Sequence, residues 1–169
     1  WNGWMIAALA QGARVLGRRD YADAAARAAR FVLDRLVGGD GRLFHRFRQA
    51  ERAVDGQAGD YAFFVYGLLQ LYRSTFDVAW AEKAAALQEI MLRDLWDGAG
   101  GGFFLVDARN RELPVRPKEI YDGAIPSANS VALMNLLWLS RLTGETRWAD
   151  RADQLARACV DLAKDWRTD

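Results

Sequence analysis

The chain has 169 residues, 51% of them hydrophobic and 27% charged. That length and apolar content suit a single packed domain and exclude global disorder. Lys and Arg number 23 against 22 Asp and Glu, a net charge of +1 that gives nucleic-acid binding no electrostatic footing.

Apolar residues recur at helical spacing through most of the chain. They predict six helices, over 3–17, 20–37, 60–75, 78–95, 128–142 and 146–165. Short turns join them in pairs, and each turn ends on an aromatic residue: Tyr21, Trp80, Trp148. These aromatics are 59 and 68 residues apart, so a unit of helix, short turn, helix and long Gly-containing loop occurs about three times. The first helix of each pair is apolar nearly all round, as in the run from Ala62 to Tyr72, and is expected to be buried on most sides. The second is amphipathic, with one Arg/Asp-rich face, as from Tyr21 to Leu36. An inner row of buried helices and an outer row of half-exposed ones follows. The expected fold is all-α: an arc of about three helical hairpins from an α/α toroid, with a small β-hairpin in a long loop.

The two long loops, about 38–59 and 96–127, lie on one end, where the inner helices begin. Function tends to sit on such loops, and helix N-termini there favour anionic or hydroxyl-rich ligands. Alternation around Phe103–Asp107 predicts the β-hairpin in the second loop, with Asn110 near its turn. A weaker twin is expected around Leu43–Phe47.

The densest polar run, Arg116 to Ser130, leads into the fifth helix. Its Glu119 and Asp122, with Asp60 at the start of the third helix, are the candidate catalytic carboxylates, since paired carboxylates perform acid/base or nucleophilic work on glycosides. Lys118, Tyr121, Asn129 and Tyr61 are candidates for orienting sugar hydroxyls. Trp1 and Asn2 occupy the repeat-equivalent start of the first helix, where an exposed aromatic suits stacking on a sugar. His45, the sole histidine, sits in the first long loop as a candidate proton shuttle. Local roles compete with each of these: Ser127, Asp60 and Asn129 are N-cap residue types, and Asp122 with Gly123 closes a turn.

One cysteine, Cys159, and one histidine call for no metal site and no redox motif. The glycine run from Gly98 to Gly102 lacks the Lys-Ser/Thr of a P-loop. No cofactor is expected. Apolar runs are interrupted before roughly 18 residues accumulate, so neither a membrane span nor a membrane partner is expected, and a cytoplasmic location is the default. Because the chain starts inside an apolar helix, we expect residues 1–169 to be one domain-sized piece of a larger (α/α)6 toroid. Such an arc is completed by the missing part of the chain or by self-association.

The runs WNGWMIAAL, DYAFFVYGLLQLY, GGGFF and above all RPKEIYDGAIPSANSVA resemble the C-terminal helical region of the thioredoxin-domain-containing proteins related to spermatogenesis-associated protein 20. The resemblance spans essentially the whole chain and implies a toroid like those of the six-hairpin glycosidases and the N-acylglucosamine 2-epimerases. It implies carbohydrate processing, by hydrolysis or epimerisation, or a non-catalytic scaffold that binds a carbohydrate or a protein. Those epimerases use two histidines, and this chain has one. The family motifs carry over Lys118, Glu119, Tyr121, Asp122 and Asn129, with Asp60 and Tyr61.

Overall fold

A computed structural model of the chain describes residues 1–110 and 114–165. Six helices follow the expected order: α1 Asn2–Leu16, α2 Arg19–Leu36, α3 Ala58–Thr75, α4 Val78–Leu95, α5 Ala128–Thr143 and α6 Thr146–Asp165. Two strands, β1 Phe44–Arg48 and β2 Glu51–Asp55, form an antiparallel hairpin between α2 and α3.

The repeat is visible in how the inner helices end. Gly17, Phe76 and Gly144, related by the same offsets as the turn aromatics, all adopt the left-handed conformation at the helix C-cap, with φ of 66°, 56° and 74°. Each donates its backbone N–H to a carbonyl four residues back. Glycine makes that conformation cheap twice, and Phe76 adopts it with a side chain.

α1, α3 and α5 pack side by side as the inner row, and α2, α4 and α6 each back their own partner. α3 lies in the middle and is buried almost continuously from Tyr61 to Leu71. α1 and α5 are buried on fewer sides than expected, because each lacks one inner neighbour and leaves Met5, and Met134 with Leu137, exposed. α1 approaches α3 closely enough that a Cβ on Gly3 would overlap the Phe63 backbone, and one on Gly67 would lie 2.7 Å from the Gly3 carbonyl. The amphipathic α2 buries Ala25, Ala29, Val32 and Leu36, and α6 buries Trp148, Ala152 and Leu155.

The hairpin is where the sequence placed its weaker candidate. The first loop reverses at Gln49 and Ala50, both at positive φ, the backbone a two-residue hairpin turn requires. In the second loop the described residues form only an isolated bridge, Trp96 with Phe103. Its extended stretch finds partners elsewhere. Phe104 N–H donates to the Leu95 carbonyl, Leu105 N–H donates to the Pro117 carbonyl, and the Leu105 carbonyl accepts from Ala58 N–H. The far side of the expected hairpin falls partly on 111–113, outside the described residues. Among the described residues no helix is long and apolar enough to cross a membrane.

Candidate functional site

The N-termini of α1 and α3 and the first long loop enclose a cleft of about 220 Å³. Trp1, Asn2, His45 and Asp60 line it, against an apolar wall that includes Phe63 and Phe64. Asp60 is the third residue of α3. Its Oδ2 accepts the Gln57 N–H at 2.8 Å, and the Gln57 side chain accepts the Asp60 N–H, a reciprocal capping box. The same carboxylate meets His45 Nδ1, at 2.9 Å from Oδ2 and 3.1 Å from Oδ1. A carboxylate only accepts when ionised, so the contact makes Nδ1 the donor and leaves Nε2 as the basic nitrogen of the ring. The His45 side chain is 51% exposed and that of Asp60 23%, so the pair spans from the α3 cap to solvent.

The hairpin delivers His45 to that position. Leu43 N–H donates to the buried Tyr61 hydroxyl at 2.8 Å, and Gly56 N–H donates to the Leu43 carbonyl at 2.8 Å, fixing the hairpin root over the first turn of α3. Phe44 pairs with Asp55 and Arg46 with Ala53. Between these pairs, Val54 opposite His45 has φ of 63°, a strained backbone for a β-branched residue. Strand alternation breaks there, and Phe44 and Phe47 both turn inward while His45 stays outside.

The polar run before α5 has a different employment. Lys118 Nζ donates to Asp97 Oδ2 at 2.5 Å and to the Gly101 carbonyl at 2.7 Å. The Lys118 ammonium, helped by the Ala99 and Gly100 N–H groups, holds the Asp97 carboxyl at about 2, below the usual range. Lys118 and Arg116 both lie over the Phe104 ring. Asn129, 2% exposed, accepts the Phe103 N–H at 2.7 Å and donates to the Phe103 and Glu119 carbonyls at 3.0 and 2.8 Å. Asp122 accepts the Ser127 N–H at 2.8 Å, a bond that lowers its carboxyl. Glu119 and Tyr121 are exposed on the loop surface. Tyr61 is buried, and desolvation pushes its hydroxyl up.

The structure therefore brings Trp1, Asn2, His45 and Asp60 together, and leaves Tyr61, Lys118, Glu119, Tyr121, Asp122 and Asn129 off the cleft lining. Sequence reasoning missed Phe63 and Phe64. Their signal was present, since Phe63 lies one helical turn beyond Asp60 and so shares its face. Trp4 packs against Phe63 and Tyr66 at centroid distances of 5.2 and 5.4 Å, deeper than the cleft rim. No group of three or more metal-ligating side chains occurs among the described residues.

No family profile matches the chain. Direct comparison does find relatives. The chain is 38% identical over 161 residues to spermatogenesis-associated protein 20 of Rattus norvegicus and 37% identical to that of Homo sapiens, each match covering 89% of this chain. The chain is homologous to spermatogenesis-associated protein 20. It spans about a fifth of the length of those spermatogenesis-associated protein 20 relatives, 20% in each. Among solved structures it is similar to a glycoside hydrolase family 76 mannosidase from Bacteroides thetaiotaomicron, with a TM-score of 0.74 and 18% identity. That match covers 93% of this chain and 42% of the mannosidase. A cellobiose 2-epimerase from Spirochaeta thermophila gives a TM-score of 0.73 at 18% identity, covering 91% of this chain and 40% of the epimerase. These likenesses establish the α/α-toroid fold of the chain.

Proposed function

We propose that this chain is part of a carbohydrate-processing toroid whose sugar sits in the mouth cleft. Trp1 stacks on a sugar face, Asn2 bonds a hydroxyl, and the His45–Asp60 pair moves a proton. The observation that carries this reading is the pair itself. A carboxylate orients the imidazole through Nδ1, leaving Nε2 as a base at the rim of an aromatic-walled cleft. At about 220 Å³ the cleft falls below the roughly 300–1,000 Å³ of pockets that enclose drug-sized ligands, which suits one sugar ring. Trp1, 86% exposed, stands ready for stacking. Mannosidase and cellobiose 2-epimerase neighbours make a saccharide the natural ligand class.

Hydrolysis by paired carboxylates has less support than proton transfer at a sugar carbon. Asp60 is the cleft's carboxylate, while Asp122 caps the α5 entry and Glu119 lies on the loop surface. The same shortage of a second carboxylate favours, as the second reading, a scaffold that binds a carbohydrate or a protein without turnover. A cytoplasmic setting belongs to this proposal. So does completion of the ring, by further hairpins or a second copy, over the exposed Met5 on α1 and Met134 and Leu137 on α5.

The test is titration with mono- and oligosaccharides, read by chemical shift, together with solvent-deuterium incorporation into reducing sugars. Variants are His45→Gln and Asp60→Asn, the latter keeping an oxygen for the Gln57 N–H. Saturable binding with deuterium uptake lost in His45→Gln is the expected result. Binding without uptake moves the chain to the scaffold reading. A folded chain that binds no saccharide refutes the sugar site.

A further inference from the structure

Arg14, Arg73 and Arg141 stand in the last turns of α1, α3 and α5. They are related by the same 59- and 68-residue offsets as the turn aromatics. Each repeat thus delivers a guanidinium to the end of the arc opposite the mouth. Two of them meet. α3 and α5 leave between them a groove of about 390 Å³ lined by Leu69, Tyr72, Arg73, Trp138, Arg141 and Leu142. No carboxylate lines it. Among the described residues, the ion pairs include neither Arg73 nor Arg141.

Arg73 is held in place. Its guanidinium carbon lies 4.4 Å from the Trp138 ring centroid, and Trp138 meets Tyr66 at 6.3 Å. That contact restrains the guanidinium, and an arginine held against an aromatic ring keeps N–H donors for an acceptor such as an oxyanion. A last-turn arginine also offsets the helix dipole, which accounts for its charge. The dipole does not account for two such groups converging on an acid-free groove with aromatic walls.

We propose that this groove binds an oxyanion-bearing ligand. Arg73 and Arg141 clamp the phosphate or carboxylate, and Tyr72 and Trp138 receive the ring attached to it. Asp60 and Arg73 are thirteen residues apart on α3, roughly 20 Å at the helical rise. A sugar ring seated at the mouth therefore does not reach the groove, and the site stands independently of the carbohydrate reading.

The experiment follows the Trp138 indole N–H in protein labelled at tryptophan, assigned with Trp138→Phe, at constant ionic strength. The probes are inorganic phosphate, phenyl phosphate and benzoate. A saturable shift at Trp138 is expected, with phenyl phosphate tighter than inorganic phosphate because its ring adds contact. Arg73→Gln and Arg141→Gln are each expected to weaken binding by about tenfold or more. Arg141→Lys, which keeps the charge and the helix end, is expected to fall between. Circular dichroism checks the fold of every variant, and His45→Gln is expected to leave the affinity unchanged. A response to phenyl phosphate alone identifies a phosphate ester as the ligand class, and one to benzoate alone a carboxylate. No shift in folded protein at about 50 mM of any probe, or a shift that survives the double Arg→Gln change, overturns the proposal.

Discussion

Replacing Asn129 by Ala tests whether this residue serves the fold or a ligand. Its side chain satisfies three backbone groups: the Phe103 N–H, the Phe103 carbonyl and the Glu119 carbonyl. Phe103 is fully buried, so both of its groups would be stranded away from water. Each stranded group costs about 1–3 kcal/mol. Glu119 is exposed, and its carbonyl can turn to solvent at little cost. Alanine returns roughly half a kcal/mol in helix propensity. The net expectation is a loss of about 2–5 kcal/mol, a large share of the roughly 5–15 kcal/mol that stabilises an ordinary domain. Asn135 on the same helix is the control. It is equally buried but donates one bond, at 2.8 Å, to the Ala62 carbonyl, which already lies within the α3 helical ladder. Asn135→Ala should therefore cost less by about 1–3 kcal/mol. Urea unfolding at neutral pH, followed by circular dichroism and tryptophan fluorescence, measures both. If Asn129→Ala loses less than about 1 kcal/mol, or no more than Asn135→Ala, the account of Asn129 as the clasp of the second loop is wrong.

Two further changes probe other parts of the fold. Lys118→Met removes the ammonium that depresses Asp97 to about 2. A depressed carboxyl stabilises the fold above its ordinary value and loses that contribution as pH falls from about 4 to about 2. The variant should thus be less stable than the parent by roughly 1–2 kcal/mol at pH 7, after allowing for solvent screening. Thermal melts between pH 2 and 7 should show that gap closing toward pH 2, and a gap that stays constant refutes the linkage. Phe76→Gly relieves a left-handed residue that is glycine in the other two repeats, and it gives up an edge contact with Tyr72. A gain of about 0.5–1 kcal/mol in urea unfolding is expected, and a loss would mean that the aromatic contact outweighs the strain.

The helices were readable in the sequence because their signals are local. Apolar spacing, turn aromatics and the Gly17 and Gly144 stops all act within a few residues of where they are felt. What stayed hidden depends on groups distant in sequence. Alternation at Phe103–Asp107 gives a strand signal, but Leu95, Pro117 and Ala58 supply its backbone partners, so no hairpin forms there among the described residues. The close approach of α1 to α3 rests on Gly3 and Gly67, 64 positions apart, and nothing near either glycine announces it. Within the site, the placement of Asp60 at the start of α3 was readable. The His45 contact to Asp60 was not, because it depends on the hairpin register and the Val54 distortion.

The two long loops contain similar residue types, yet only the first lines the cleft with its polar side chains, and backbone satisfaction explains why. In the first loop the hairpin pairs its own N–H and carbonyl groups, so the His45 side chain has no structural debt beyond its contact with Asp60. In the second loop the main chain crosses the helix tops with fewer partners of its own. Buried polar backbone must be bonded, and the nearest side chains meet that demand. Asn129 closes on Phe103, Asp122 on Ser127, and Lys118 on Gly101 while neutralising Asp97. A cluster dense in polar residues at a helix N-terminus is therefore ambiguous from sequence alone. The loop whose backbone pairs within its own hairpin leaves its side chains unspent, and the loop without such pairing spends its own on holding its shape.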